Sequence, residues 1–252
     1  MDLREMRDET AGRHPWETAR VKAIGKLLET TLRDGIAILD VGCGDGFLSR
    51  TLCSALGRTS SIAAVDINLT PQQIQRLEES FPAARYMTRL PPKGNRYDLV
   101  LLLDVVEHIQ DDLRFLEDLV RDHAKVGARV LVTVPAFPAL YCDHDRFLGH
   151  HRRYRLDGIE RLLKRAGLQV LSSGYLFGSL LLPKLLLFKL LSWRKSTDGI
   201  GCWQGGTLAT AFIRTLLHLD NSLLIMAAKI GVKIPGLTAW VLCDKPLPPC
   251  LN

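Results

Sequence analysis

Among its six cysteines, Cys43, Cys53, Cys142, Cys202, Cys243 and Cys250, the sequence has no CxxC pair and no tightly spaced set. That excludes a zinc ribbon and a disulfide-stapled scaffold, and it predicts a reduced, cytoplasmic setting. The first twenty residues are rich in charge and hold no apolar core, so no secretory signal is expected in them. Clean membrane spans are missing too. The apolar stretch GSLLLPKLLLFKLLSW (178–193) is interrupted by Pro183, Lys184 and Lys189, and TLATAFIRTLLHLDNSLLIMAAK (207–229) by Arg214, His218 and Asp220. A GxGxxG fingerprint is absent as well, which removes the ordinary nicotinamide oxidoreductase.

What is present is a chain of 252 residues, 47% hydrophobic, enough for one large α/β domain with a real core and an insertion. Its formal charge of +6 is unevenly placed. From Arg161 onward there are eleven Lys or Arg against three acids, Asp198, Asp220 and Asp244, so that third carries a net +8 and the first 160 residues a net −2. These cations lie among leucines and not among polar and aromatic residues. The pattern favours an anionic membrane surface or lipid over nucleic acid.

Apolar, β-branched runs predict strands at 36–41, 61–66, 84–87, 97–103, 128–134, 168–173 and 238–243. Helical stretches fall between them at 46–56, 71–80, 111–125 and 156–166, and the segment up to residue 32 is also helical in pattern. The alternation predicts a mostly parallel sheet with helices on both faces. Three parts are expected: an N-terminal helical lid at 1–31, an α/β domain at 32–177 and 232–246, and an apolar, basic helical insertion at 178–231. The insertion either closes on its own core or forms a cap that meets lipid or substrate.

The run ILDVGCGDGF (38–47) places Gly42, Gly44 and Gly46 at alternate positions directly after a strand. Phe47 stands where a dinucleotide fingerprint would continue, and Asp40, inside the strand, would repel a pyrophosphate but welcome a cationic amino group. In these residues the chain resembles the class I S-adenosylmethionine-dependent methyltransferases, whose first motif is a hydrophobic residue followed by Asp-x-Gly-x-Gly-x-Gly.

That resemblance implies a Rossmann-like, seven-stranded, mostly parallel sheet, with the apolar insertion before the last strand, and S-adenosylmethionine as cofactor. It implies that Gly42, Cys43, Gly44 and Gly46 pass beneath the methionine part, that Asp40 orients the turn and reaches the amino group, and that Asp66 accepts both ribose hydroxyls with Ile67 against adenine. Where many relatives carry an acid after the third strand, this chain has Met87, Thr88 and Arg89. The motif RYDLVLLLDVVEHI (96–109) is similar to the family's fourth strand and turn, which places Leu103, Asp104 and Val105 along the pocket. Its ending, Val106-Glu107-His108-Ile109, resembles the methyltransferase type 11 group and the ubiquinone-biosynthesis O-methyltransferases. Glu107 and His108 there read as a helix cap or tether, or with Asp104 as ligands for a divalent ion. No resident metal is expected.

The acceptor side is expected in the connection from Pro135 to Arg155, which has little predicted structure and the densest ionisable cluster in the chain. It resembles an HDxxxGHxRRY pattern of a methyltransferase subgroup, matched by His144, Asp145, Gly149, His150, Arg152, Arg153 and Tyr154. An oxygen acceptor must lose a proton, and a histidine titrating near neutrality is the natural base. His144, oriented by Asp143 or Asp145, is the first choice and His150 the second. Arg152 and Arg153 are candidates to clamp an anionic group on the acceptor, beside Tyr154. Trp16 is either the apolar plate of the lid or ordinary core. The expected activity is O-methylation of a small or lipid-like anionic acceptor near the inner face of a membrane. An RNA methyltransferase and a non-catalytic cofactor-binding module stand as the alternatives.

Overall fold

In a computed structural model of the chain, residues 13–54, 60–190 and 205–247 are described. Seven strands form one sheet: β1 (Ala37–Val41), β2 (Ser61–Val65), β3 (Ala84–Met87), β4 (Tyr97–Leu103), β5 (Ala124–Pro135), β6 (Gln169–Leu176) and β7 (Thr238–Asp244). Their order across the sheet is β3-β2-β1-β4-β5-β7-β6. All neighbours are parallel except β7, which runs antiparallel to both β5 and β6. The order reverses between β1 and β4, and such a switch point is where open α/β sheets bind ligands.

The strands read as unbroken apolar runs because helices cover both faces. Along β4, Leu99, Leu101 and Leu103 belong to one core and Val100 and Leu102 to the other. The first core receives Ala19, Ala23 and Ile24 of α1 (Pro15–Leu27), Leu52 of α2 (Phe47–Ser54), and Leu217 and Ile225 of the penultimate segment. On the other side lie Leu116 and Leu119 of α4 (Asp112–His123) and Ile159 and Leu163 of α6 (Leu156–Arg165).

Local chemistry sets the helix starts. Pro15 opens α1 behind His14, whose Nδ1 accepts the Trp16 N–H at 3.1 Å. A reciprocal Thr70–Gln73 capping box starts α3 (Pro71–Ser80). Arg155, by contrast, gives α6 no side-chain cap.

Three differences from the sequence expectation have plain causes. Strand β5 begins at Ala124, directly after His123 ends α4, with no loop between them. The connection 135–155 is not structureless: it holds a 3-10 turn at Pro138–Leu140 and α5 at Asp143–Leu148. Six residues are too few to show a helical period, and α5 owes its start to the Asp145 carboxylate, which accepts the Cys142 N–H at 2.8 Å. The apolar insertion comprises α7 (Leu181–Leu190) and α8 (Thr207–Lys229). Its turn through Gly199 and Gly201 lies outside the described residues. α8 packs on α1 and β6.

Candidate functional site

The carboxyl ends of β1, β2 and β4 converge on the glycine turn. The Gly42 and Cys43 N–H groups donate to the Val65 carbonyl at 2.7 and 3.0 Å, fastening the turn to β2. Gly42, Gly44 and Gly46 have φ of 74°, 55° and 68°, a left-handed conformation that L side chains resist. Two of them are also enforced by packing. A Cβ on Gly42 would fall 2.4 Å from Cγ2 of Val105, and one on Gly46 would fall 2.7 Å from the Tyr86 hydroxyl. Thus the turn is bare partly so that β3 and β4 can close against it.

Asp40 is 2% exposed and accepts the Ser49 hydroxyl of α2. Burial pushes its carboxyl up to about 6, against the Ser49 hydrogen bond, which favours the anion. Asp66, just past β2, accepts the Gly44 N–H at 3.0 Å through Oδ2 and the Asn68 N–H at 2.9 Å through Oδ1. Each oxygen keeps a lone pair for a ligand hydroxyl. Ile67 is 80% exposed beside it. Leu103 is buried at the end of β4, and Asp104 follows with φ 59°. The Asp104 carboxylate accepts the Thr133 hydroxyl at 2.8 Å and pairs with Arg20 of α1 at 2.9 Å. All ten positions assigned to the cofactor from sequence therefore lie along these converging strand ends.

Helix α1 borders the same turn. Arg13 pairs with Asp45 and lies 3.8 Å over the Phe47 ring, and Arg20 lies 5.3 Å over Trp16. Trp16 stacks on Phe177 at 5.4 Å, partly buried against the first core.

The second cluster lies in the segment that follows β5. Asp145 is fully buried, and its Oδ1 is shared between His150 Nδ1 at 2.9 Å and Arg153 Nε at 2.8 Å. Burial alone would raise this carboxyl, but the His150 hydrogen bond, the Arg153 charge and hydrogen bond and the Cys142 N–H together hold it well below the usual carboxylate range. The orienting carboxylate that the sequence reading gave first to His144 is thus spent on His150, while Asp143 pairs with Arg146. His144 lies on α5, and the α5–Gly149 turn carries His150 back to Asp145.

The clamp expected of the two arginines meets a different arrangement. Arg152 bonds the Asp112 carboxylate at 3.0 Å and the Gln110 carbonyl at 2.7 Å, and Arg153 is buried on Asp145. Tyr154 donates to Asp112 at 2.7 Å, and burial, then Asp112, pushes its phenol far up.

Between the two clusters stands Glu107, fully buried, with no hydrogen-bond partner for either carboxylate oxygen. Burial, reinforced by the Asp104 charge, raises its carboxyl well above the ordinary range. α4 is capped by Asp111 and not by Glu107, whose carbonyl accepts the His151 N–H at 2.8 Å. His108 meets the edge of His150 at 4.6 Å between ring centroids. Ligand atoms of Glu107, His108 and His150 lie within 4.8 Å of one another, so His150, and not Asp104, completes the set that can hold a cation.

Sequence reasoning missed Ser49, Thr133, Arg20 and the bare Glu107 carboxylate. Thr133 had a signal, a lone hydroxyl in the strand VLVTVP, and so did Arg20, four residues after Trp16 on the face that buries Ala19 and Ile24. Ser49 had none.

A seven-stranded sheet in this order, with a glycine turn at the switch point and acids ending β1 and β2, defines the class I, S-adenosylmethionine-dependent methyltransferases. The chain belongs to the methyltransferase domain family, whose model matches residues 15–173, from α1 into β6. Among curated relatives it is 28% identical over 106 residues to the mitochondrial ubiquinone biosynthesis O-methyltransferase of Arabidopsis thaliana, covering 40% of this chain and 33% of that protein. It is 33% identical over 91 residues to the ubiquinone biosynthesis O-methyltransferase of Chelativorans sp. (strain BNC1), covering 33% of this chain and 34% of that protein. The chain thus spans about a third of the length of these relatives. Among solved structures, coclaurine N-methyltransferase bound to N-methylheliamine and S-adenosylhomocysteine shares the fold, with a TM-score of 0.59 at 16% identity over 96% of this chain and 76% of that one.

Proposed function

We propose that the protein transfers the methyl group of S-adenosylmethionine to an oxygen of a small or lipid-like acceptor bearing an anionic group, at the cytoplasmic face of a membrane. The observation that carries this reading is the Asp145–His150 pair. A carboxylate on Nδ1 fixes the imidazole tautomer and leaves Nε2 as a proton acceptor, the arrangement a hydroxyl acceptor needs. His150 is therefore the base. With S-adenosylmethionine bound, the cofactor would supply the activated methyl group, and His150 Nε2 would take the proton that the acceptor oxygen gives up. The sulfonium already activates the methyl carbon, so the remaining work is alignment.

With Arg152 and Arg153 engaged internally, Lys184 of α7 is the candidate cation for the acceptor's anionic group: burial and then the Arg153 charge lower its pKa, and an anion beside it would favour its charged form. Curated relatives named as O-methyltransferases support an oxygen acceptor, and the basic, leucine-rich last third supports a lipid setting.

The test is turnover of His150→Asn against a panel of phenolic and lipid-linked hydroxyl acceptors, with S-adenosylmethionine affinity measured by calorimetry. A loss of about 10²–10⁴ in kcat with unchanged cofactor affinity is expected. Equal turnover removes His150 as the base.

A further inference from the structure

Among the described residues, one face of α8 is a continuous line of exposed apolar side chains. Phe212, Leu216, Leu219, Leu223, Met226 and Ile230 follow one another four, three, four, three and four residues apart, and each is between 47% and 80% exposed. Leu208, at 88% exposure, extends the line to the start of the helix. At 1.5 Å per residue this stripe is roughly 30 Å long. Monomeric soluble domains rarely leave so continuous an apolar strip in water. The opposite face of the same helix is used inside the protein, where Leu217, Asn221, Leu224 and Ile225 are buried.

By length and composition alone α8 is long and apolar enough to cross a bilayer. Its docking on α1 and β6 holds it along the side of the domain instead, the posture of a helix that lies in a membrane interface. We propose that this stripe is a docking surface for an anionic lipid bilayer, with α8 lying in the plane of the headgroups. The proposal rests on the membrane-proximal reading above and assigns it to one helix face.

Charge chooses the occupant. The last third of the chain has eleven Lys or Arg against three acids, and Arg214 and Lys229, both exposed, lie on α8 itself. The one acid of α8, Asp220, is turned away to accept the Ser179 N–H at 3.2 Å and the Ser179 hydroxyl at 3.0 Å. Neither cation lies on the stripe itself: Lys229 flanks it by about a quarter-turn and Arg214 lies further round the helix, so anionic headgroups meet them at its edge while the apolar side chains enter the bilayer. Leu182 and Leu186 of α7, 69% and 57% exposed, add apolar surface from the neighbouring helix.

The buried side of α8 connects this surface to the site. Asn221 Oδ1 accepts the Phe177 N–H at 2.8 Å, Phe177 stacks on Trp16, and Trp16 lies under Arg20, which pairs with Asp104. Docking through α8 therefore fixes the orientation of the cofactor turn relative to the bilayer, as an enzyme taking a lipid-like acceptor requires.

The experiment is co-sedimentation of the full chain with vesicles of phosphatidylcholine alone and of phosphatidylcholine with 30% phosphatidylglycerol (roughly the anionic fraction that draws polybasic surfaces). The wild type is compared with the double variant Leu219→Gln/Leu223→Gln, with S-adenosylmethionine affinity and oligomeric state measured in parallel. Expected are binding to the anionic vesicles, at least about tenfold weaker binding to the neutral ones, and a similar loss in the double variant, with cofactor affinity unchanged. Equal vesicle binding by wild type and variant overturns the assignment to α8 while leaving a membrane-proximal enzyme standing. No vesicle binding, with a dimer that the double variant dissolves, overturns it in favour of a seam between copies. Loss of turnover in His150→Asn is read independently of both.

Discussion

Asp104 Oδ2 lies 2.9 Å from the Arg20 guanidinium, joining the turn after β4 to a helix near the start of the chain. Arg13 makes the matching link to Asp45 in the glycine turn. α1 is thereby fastened to both walls of the cleft in which the cofactor motif lies, with Trp16 between the two arginines. The positive φ of Asp104 and the buried guanidinium are features a folded chain keeps only where its surroundings over-determine them.

If α1 serves as a lid, removing that link should change exchange more than fold. Arg20→Ala is expected to speed S-adenosylmethionine release by about tenfold, near 1.4 kcal/mol, because Asp104 keeps its Thr133 hydrogen bond and the turn survives. Stopped-flow displacement of the bound cofactor measures this. An unchanged release rate would reduce α1 to ordinary packing.

Gly42 tests how much of the glycine turn is packing. Gly42→Ala meets both a left-handed φ and the Val105 side chain. About 2–4 kcal/mol of stability should be lost, of which 1–2 is conformational and the rest overpacking. Adding Val105→Ala should return only the second part, and chemical denaturation of the wild type, the single and the double variant separates the two. Full recovery in the double variant would mean that the backbone conformation costs nothing here.

Asp66 carries two duties, since its oxygens accept the Gly44 and Asn68 N–H groups and remain open to ligand hydroxyls. Asp66→Ala should weaken S-adenosylmethionine binding by about 2–4 kcal/mol, from hydrogen bonds to a charged group worth roughly 1.5–3 each. Calorimetry on the variant decides it, and an unchanged Kd would take Asp66 out of the cofactor site.

The parts that were legible in the sequence are those where a backbone demand selects a residue type. Alternate glycines after a β-branched run gave away the turn, and two-sided burial made β4 an unbroken apolar run, so its limits could be read to the residue. What stayed hidden depends on distant pairing. The pairing of Asp145 with His150 turns on α5, a helix of six residues held by one side-chain cap, and on a left-handed Gly149 that swings the chain back. The environment of Glu107 was equally invisible. Its carboxylate is fully buried with both oxygens unpartnered, at a position whose local sequence looks like a helix entry.

Glu107 gives a pH test with a definite sign. Its folded pKa is raised, so the unfolded chain releases this proton first and the residue costs stability increasingly as pH climbs above the unfolded value near 4.5. Glu107→Gln removes that cost without changing the shape. Melting temperatures should agree near pH 4, and the variant should lie higher at pH 8 by at least about 2–4 °C, roughly 1 kcal/mol for a chain of this size. A difference that does not grow with pH would mean that Glu107 is ionised in the native protein. Adding a chelator should leave the turnover of the wild type unchanged if His150 works as a base and not as a ligand.

Asp145 has the opposite sign and ties stability to chemistry. Its folded pKa is depressed, so the stability it contributes is complete above the ordinary carboxylate range and is lost as pH falls through the folded value. Asp145→Asn leaves the Arg153 guanidinium buried without its anion, and removal of one partner from such a pair costs about 3–5 kcal/mol. The same change lets the His150 ring choose either tautomer, so kcat should fall even at temperatures where the variant is folded. The two effects separate in Asp145→Asn/Arg153→Met, which deletes both charges. Stability should recover much of its loss, because nothing charged is left unpaired, whereas turnover should not, because Nδ1 still lacks its carboxylate. If turnover recovered along with stability, the Asp145–His150 contact would be a packing feature and the base would have to be sought elsewhere in the cleft.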